Sequence, residues 1–265
     1  MYKRYLAASA IAAMAAASNA AMADIVPWGI EDSAAFTVNI NNAATTESGD
    51  LSWKQDTTNT DKWSLTGAVT WWNSYGSITL DSASFDLDPV LSFGITATNN
   101  SNAPAPFSFV FSAPMDPGLT GPIRSHADMG ITLTDHSGDG ATLQARAGSP
   151  LLYPFDLAGF DEIPKNVDLG SAYLLNVLTG ASTRTMVDLL SNDGSLVCTT
   201  ACTTMAAELR FILSGGQDKV SFTGVVTQDV SEVPLPGALG LFGAGFASLV
   251  GFARRRRRPV PAATA

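Results

Sequence analysis

From Ala34 onward apolar residues recur at every second position, the period of a strand with one face buried. Phe36, Val38 and Ile40 alternate with Thr37, Asn39 and Asn41. Leu65, Gly67, Val69 and Trp71 alternate with Ser64, Thr66, Ala68 and Thr70, which predicts one strand running through Gly67. Leu91, Phe93, Ile95 and Ala97 follow the same rule, and after an Asn- and Pro-rich turn (Asn99 to Pro106) so do Phe107, Phe109 and Phe111. These two runs read as neighbouring strands. Ile131 and Leu133, the Gly-rich turn Asp135 to Gly140, then Thr142 and Leu143 predict a hairpin. Ala207, Leu209, Phe211 and Leu213, the turn Ser214 to Asp218, then Val220, Phe222, Gly224 and Val226 predict another. Ser149 to Ser171 holds Pro150, Pro154 and Pro164 and reads as an irregular connection; Ala172 to Leu178 suits helix or strand equally. Short strands separated by turn residues, with no amphipathic helix, make the body all-β: an antiparallel β-sandwich, jelly-roll-like.

The two ends break this pattern. Lys3 and Arg4 precede an Ala-rich apolar run from Tyr5 to Ala17, and Ala21-Met22-Ala23 offers small residues before Asp24. Residues 1–23 therefore read as a secretory signal peptide. Near the other end, the 19 residues from Leu235 to Ala253 carry no charge. As a helix they would extend roughly 28 Å, close to the hydrocarbon thickness of a bilayer. Arg254, Arg255, Arg256, Arg257 and Arg258 follow, and such a block stays cytoplasmic, leaving the body outside.

The order of parts at this end, Val233-Pro234-Leu235-Pro236, a Gly-rich apolar helix and an arginine cluster, resembles the PEP-CTERM sorting signal. The usual Val-Pro-Glu-Pro lacks its acidic residue here, Leu235 standing in its place. The resemblance implies handling by a membrane protease-transferase of the exosortase type and a place in the cell envelope or exopolysaccharide layer. The stretch from Leu87-Asp88-Pro89 through Asn100 to Phe111 is similar to part of the body of several such exported proteins, a likeness of fold that brings no catalytic residue. The chain thus divides into a signal peptide (1–23), a β-sandwich ectodomain (24–231), a sorting signal with one transmembrane helix (232–258) and a short cytoplasmic tail (259–265).

Between Asp24 and Glu232 lie all 24 acidic residues but eight of the 15 basic ones, 16 more negative charges than positive. A surface so acidic does not suit nucleic acid or anionic lipid, which need a basic face. Cys198 and Cys202 are the two cysteines, and outside the cytoplasm that spacing predicts a disulfide closing a tight loop. On a chain-entropy estimate a ring of this size stabilises by about 2 kcal/mol.

Chemistry is sparse. There is no Gly-x-Ser-x-Gly elbow, no His-Glu-x-x-His and no phosphate-binding glycine loop, so no catalytic residue and no cofactor is expected. His126 and His136 sit among Asp128, Asp135 and Asp139 in sequence, but polar residues at strand edges are commonly there for solvation. Asp135, Ser137 and Asp139 followed by Gly140 match the first half of a calcium loop. Arg146 stands where the bidentate carboxylate should be, which excludes an EF-hand. A hairpin turn explains the same Asp and Gly residues, so the three oxygens are a calcium candidate without an expected metal. Trp71 and Trp72 are adjacent and must face opposite sides of a strand. If Trp71 joins the core, Trp72 points outward, where an indole can stack on a sugar ring or lie beneath a covering loop.

Three functional classes remain. The first is a structural or exopolysaccharide-associated surface protein, with the processing enzyme and extracellular polysaccharide as partners. The second is a carbohydrate-binding module working through exposed tryptophan. The third is an unrecognised hydrolase, for which Asp161-Glu162 is the sole adjacent acidic pair away from the ends of the body.

Overall fold

The computed structural model describes residues 34–49, 51–158, 161–165, 167, 169–180 and 184–230. The signal peptide, the Val233–Pro236 motif, the apolar segment and Arg254–Arg258 lie outside the described residues. All regular structure among the described residues is strand: β1 (Ala35–Ile40), β2 (Thr46–Ser48), β3 (Trp53–Gln55), β4 (Lys62–Leu65), β5 (Val69–Trp72), β6 (Gly76–Asp86), β7 (Val90–Asn99), β8 (Ala105–Asp135), β9 (Ala141–Ala145), β10 (Leu152–Ala158), β11 (Asp161–Pro164), β12 (Leu174–Val177), β13 (Arg184–Leu213) and β14 (Lys219–Val230). Every pairing is antiparallel.

Two strands, β8 with 31 residues and β13 with 30, are long enough to belong to two layers. In the front layer residues 121–135 of β8 pair with 184–198 of β13 and, on the other side, with β14, followed by β7, β6 and β4 or β5. In the back layer residues 105–114 of β8 pair with 204–213 of β13 and with β1, while β13 continues to β10 and β9. The ribbon changes layers between Pro114 and Gly121, where β13 carries bulges on either side of Cys202. Strands that switch sheets do so at bulges. The Cys198–Cys202 disulfide spans this corner, so it braces a bulge inside a strand and does not close a loop.

Aromatic rings stacked within the back layer and facing each other across the two layers form the core. Phe36 of β1 stacks on Phe111 at 4.7 Å and meets Trp71 of β5 at 6.1 Å. Phe93 of β7 meets Phe109 of β8 at 6.3 Å, and Phe211 of β13 meets Phe222 of β14 at 5.0 Å. Each fully buried phenylalanine removes enough apolar surface from water to contribute about 1.5–3 kcal/mol.

These contacts correct several expectations. The Leu91–Ala97 and Phe107–Phe111 runs are not neighbours in one sheet; they face each other across the core, and β6 and β14 are the strands beside β7. Neither expected hairpin forms. β9 pairs with β12 and β13, not with the end of β8, and β14 pairs with β7 and β8, not with the end of β13. The turns at 99–105, 136–140 and 214–218 are arches carrying the chain from one layer to the other. Arches leave backbone groups without ladder partners, and here they bond one another. The Gln217 N–H donates to the Asn99 carbonyl (3.0 Å), the Asn99 N–H to the Asp218 carbonyl (3.0 Å) and the Gly216 N–H to the Ser101 carbonyl (2.9 Å). The buried Asn99 side chain donates to the carbonyls of Ala103 and Leu213.

Gly67 has φ of 93°, a left-handed conformation that ends β4 and separates it from β5, so Ser64 to Trp71 is two strands. The Ser149–Ser171 stretch contains β10 and β11. Pro154 is tolerated because it lies at the end of the β10–β11 pairing, where its carbonyl takes the Lys165 N–H at 3.3 Å. The ambiguous segment 172–178 holds strand β12.

Candidate functional site

Because residues directly opposite one another in an antiparallel sheet share a face, the pairing register lays out the exposed front face row by row. One row crosses six strands: Ser64, Ser84, Ser92, Val225, Asp128 and Ser191. The next reads Ser82, Gly94, Thr223, Gly130 and Leu189, and the one beyond it Thr70, Thr79, Thr96, Ser221, Thr132 and Val187. Short hydroxylic side chains thus occupy 11 of these 17 positions. A trough of about 830 Å³ follows the first two rows across the strands. Two glycines give it its depth. A Cβ on Gly94 would lie 2.6 Å from Ser82 Oγ and one on Gly130 2.8 Å from Thr223 Oγ1, so any side chain there would push those hydroxyls aside. The hydroxyls already bond across strands: Ser84 with Ser92 at 2.6 Å, Thr96 with Ser221 at 3.0 Å, and Thr96 to Asp81 at 2.7 Å.

Charge gathers at the β13 end of the trough. His126 is held by two carboxylates, Nδ1 with Asp193 at 2.7 Å and Nε2 with Asp128 at 2.9 Å. The bonds to Asp193 and then Asp128 raise its pKa above the usual imidazole value. Ser191 and His126 in turn hold Asp128 below the usual carboxylate range. Each imidazole nitrogen has a carboxylate partner, which favours the doubly protonated ring. Asp128, its partner at Nε2, lines the trough. A second depression of about 490 Å³, lined by Arg124, His126, Asp193 and Asp229 among others, continues beyond it.

The residues singled out from the sequence are scattered. Trp71 is buried beside Phe36 and Phe109, and Trp72 points outward, 39 % exposed, on the same front face as the trough. It heads the row Trp72, Ser77, Thr98, Lys219 and Thr134. That row lies four residues from the trough's Gly94, about 13 Å along the strand. The other described tryptophans serve the core: Trp53 stacks on Phe36 and Phe111, and Trp63 on Phe85. His126 and His136 are not brought together. Asp135, Ser137 and Asp139 lie on the β8–β9 arch, where Asp218 of the β13–β14 arch joins them. The sequence reading missed the Ser/Thr rows, the pairing of His126 with Asp193, and Asp218. Only the first left a signal, the hydroxyls filling the alternate positions of β6, β7 and β14.

No protein-family model matches the chain, and no curated protein matches it. Among solved structures it is similar to TmCBM61 in complex with β-1,4-galactotriose, at 11% identity and a TM-score of 0.23, over 54% of this chain and 82% of that one. A putative sugar binding protein from Bacteroides thetaiotaomicron matches at 9% identity and 0.25, over 60% and 84%. A carbohydrate-binding module of the β-sandwich superfamily matches at 9% and 0.23, over 79% and 96%. At such identities and scores the likeness assigns no ligand to this chain.

Proposed function

We propose that the β-sandwich is a non-enzymatic carbohydrate-binding module of the cell envelope, holding an extended polysaccharide across its front face. The observation that carries this reading is the trough over six strands, floored by Gly94 and Gly130 and walled by Ser82, Ser84, Ser92, Thr223 and Asp128. A hydroxyl-rich chain needs many donors and acceptors on a shallow surface; serine and threonine hydroxyls supply both, and Asp128 supplies a strong acceptor. Leu65, Leu189 and Val225 give the apolar patches against which a sugar ring's C–H face can lie. Trp72, beyond the trough on the same face, extends it for a longer chain.

Export fits the disulfide, which persists in oxidising compartments. The C-terminal motif supports sorting by an exosortase-type enzyme, and mature protein taken from the envelope should then end near Val233-Pro234, without Arg254 to Arg258. Affinity electrophoresis through gels containing soluble polysaccharides tests the binding reading. The wild-type chain should be retarded by at least one polysaccharide. Ser92→Arg, which fills the centre of the trough, should migrate as in an empty gel, and Trp72→Ala should be retarded less than wild type. Equal retardation of wild type and Ser92→Arg would place the ligand elsewhere, and no retardation on acidic, neutral and amino-sugar polymers would end the proposal.

A further inference from the structure

The arch end of the sandwich gathers three carboxylates. Asp135 closes β8, Asp139 lies on the β8–β9 arch and Asp218 on the β13–β14 arch; one oxygen from each lies within 4.8 Å of the others. Asp135 and Asp218 are fully buried. Asp135 is satisfied within its own arch, Oδ1 taking the Gly138 N–H at 2.7 Å and Oδ2 the Gly140 N–H at 2.9 Å. Ser137 Oγ bonds to Asp139 and lies 3.4 Å from Asp135 Oδ1. Asp218 is different. Its Oδ2 accepts from Ser214 Oγ and the His136 N–H acts on the carboxylate, but Oδ1 is buried with no donor in hydrogen-bond geometry. Among the residues whose side chains are described, which do not include Arg184, no lysine, arginine or histidine forms an ion pair with any of the three. Lys219, next in the chain, belongs to the front-face row with Thr98 and Thr134. Burial, and then the charges of Asp135 and Asp139, raise the pKa of Asp218.

A buried carboxylate oxygen without a donor, beside two further carboxylates, is costly unless something positive completes it. A hairpin turn does not account for this group: the loops are arches, and Asp218 comes from a different one. The approach of the two arches is itself tight, since a Cβ on Gly216 would lie 2.9 Å from Ser137 Oγ and 3.4 Å from Asp139 Oδ2. The donors are all oxygen, three carboxylates and a hydroxyl. That set suits a hard divalent cation, and its mixture of buried and exposed ligands at a loop surface suits the flexible coordination of calcium more than the strict octahedron of magnesium.

We propose that Asp135, Ser137, Asp139 and Asp218 form a calcium site that ties the β8–β9 arch to the β13–β14 arch. The missing carboxylate that excludes an EF-hand within 135–146 is supplied here from across the sandwich, by Asp218. The site is independent of the glycan trough.

The test uses the full chain, stripped with chelator and dialysed, then titrated with calcium chloride or magnesium chloride by calorimetry and thermal melting. Calcium should bind at one site per chain. At about 100-fold excess over its Kd it should raise the melting midpoint by about 5 °C or more, magnesium doing much less. Asp139→Asn, whose exposed side chain does not endanger folding, should weaken calcium binding at least tenfold. Asp218→Asn should abolish it while melting no lower than the calcium-free wild type, because it removes a repelled buried charge; a purely structural Asp218 would instead melt lower. Identical midpoints in chelator and in millimolar calcium, without binding heat, would overturn the proposal. So would binding that survives both substitutions.

Discussion

Lys165 and Asp156 are both fully buried, their Nζ and Oδ1 3.1 Å apart, and Gln228 Nε2 donates to Asp156 Oδ2 at 2.7 Å. The pair is poorly finished: Lys165 Nζ and Asp156 Oδ1 have each other but no well-directed hydrogen bond, and Gln228 Oε1 is buried with no partner. Burial therefore outweighs the attraction of Asp156, and the lysine pKa is driven down to about 8. The sign of the linkage follows. Between that value and the unfolded lysine value near 10.4 the unfolded chain binds the extra proton, so stability rises with pH across this window. Below about pH 8 the whole penalty, on the order of 3 kcal/mol, is present.

Lys165→Met should nonetheless destabilise strongly, by about 3–5 kcal/mol, because it leaves a buried carboxylate with one donor. In a domain of this size that is a fall of about 6–20 °C in the melting midpoint. Lys165→Met with Asp156→Asn removes both charges, keeps an acceptor for Gln228 Nε2 and offers a donor to Gln228 Oε1. The double variant should equal or exceed wild type. Urea unfolding at pH 7 and pH 9.5 reads both effects: wild type should gain about 2 kcal/mol relative to the double variant over that interval. A double variant as unstable as the single, or parallel pH profiles for wild type and double variant, would refute the reasoning.

Gly224→Ala should destabilise by about 1–3 kcal/mol in urea unfolding, since its Cβ would lie 2.3 Å from the buried ring carbon Phe93 Cζ and the core has no slack to move it. Unchanged stability would mean that ring is free to shift. In an NMR titration the His126 imidazole should deprotonate above the usual value near 6.5, and Asp193→Asn, which removes the stronger of its two partners, should bring it most of the way back. The raised pKa adds a small, solvent-screened stabilisation, fully present below about pH 6.5 and lost as pH rises through the folded value.

The strands were legible because each keeps one face in the core, and period-two alternation records that face whatever the partner strand. Trp71 inward and Trp72 outward followed from the same rule. Partnership was not legible. A hairpin and an arch both interrupt alternation with Asp, Gly, Asn and Ser, and nothing within six residues tells whether the chain returns beside itself or crosses the core. What decides it here is the length of β8 and β13, which supply both layers and leave β9 and β14 no room beside their predecessors. The cysteines near the corner mark where the ribbon changes layers, but in sequence they read as closing a tight loop.

The candidate sites were lost for the same reason. In a sheet a binding row takes one residue from each strand: Ser64, Ser84, Ser92, Val225, Asp128 and Ser191 span more than half the chain and share no motif. A loop that carries all its own ligands can be found in a window of a dozen residues. Asp135 and Asp218 are brought together only because two arches leave the same end of the sandwich. Judged as a single loop, Asp135 to Arg146 fails as a calcium site for want of a carboxylate. Judged as half of a two-arch site, it lacks one ligand, and Asp218, buried with one oxygen unpartnered, stands beside it.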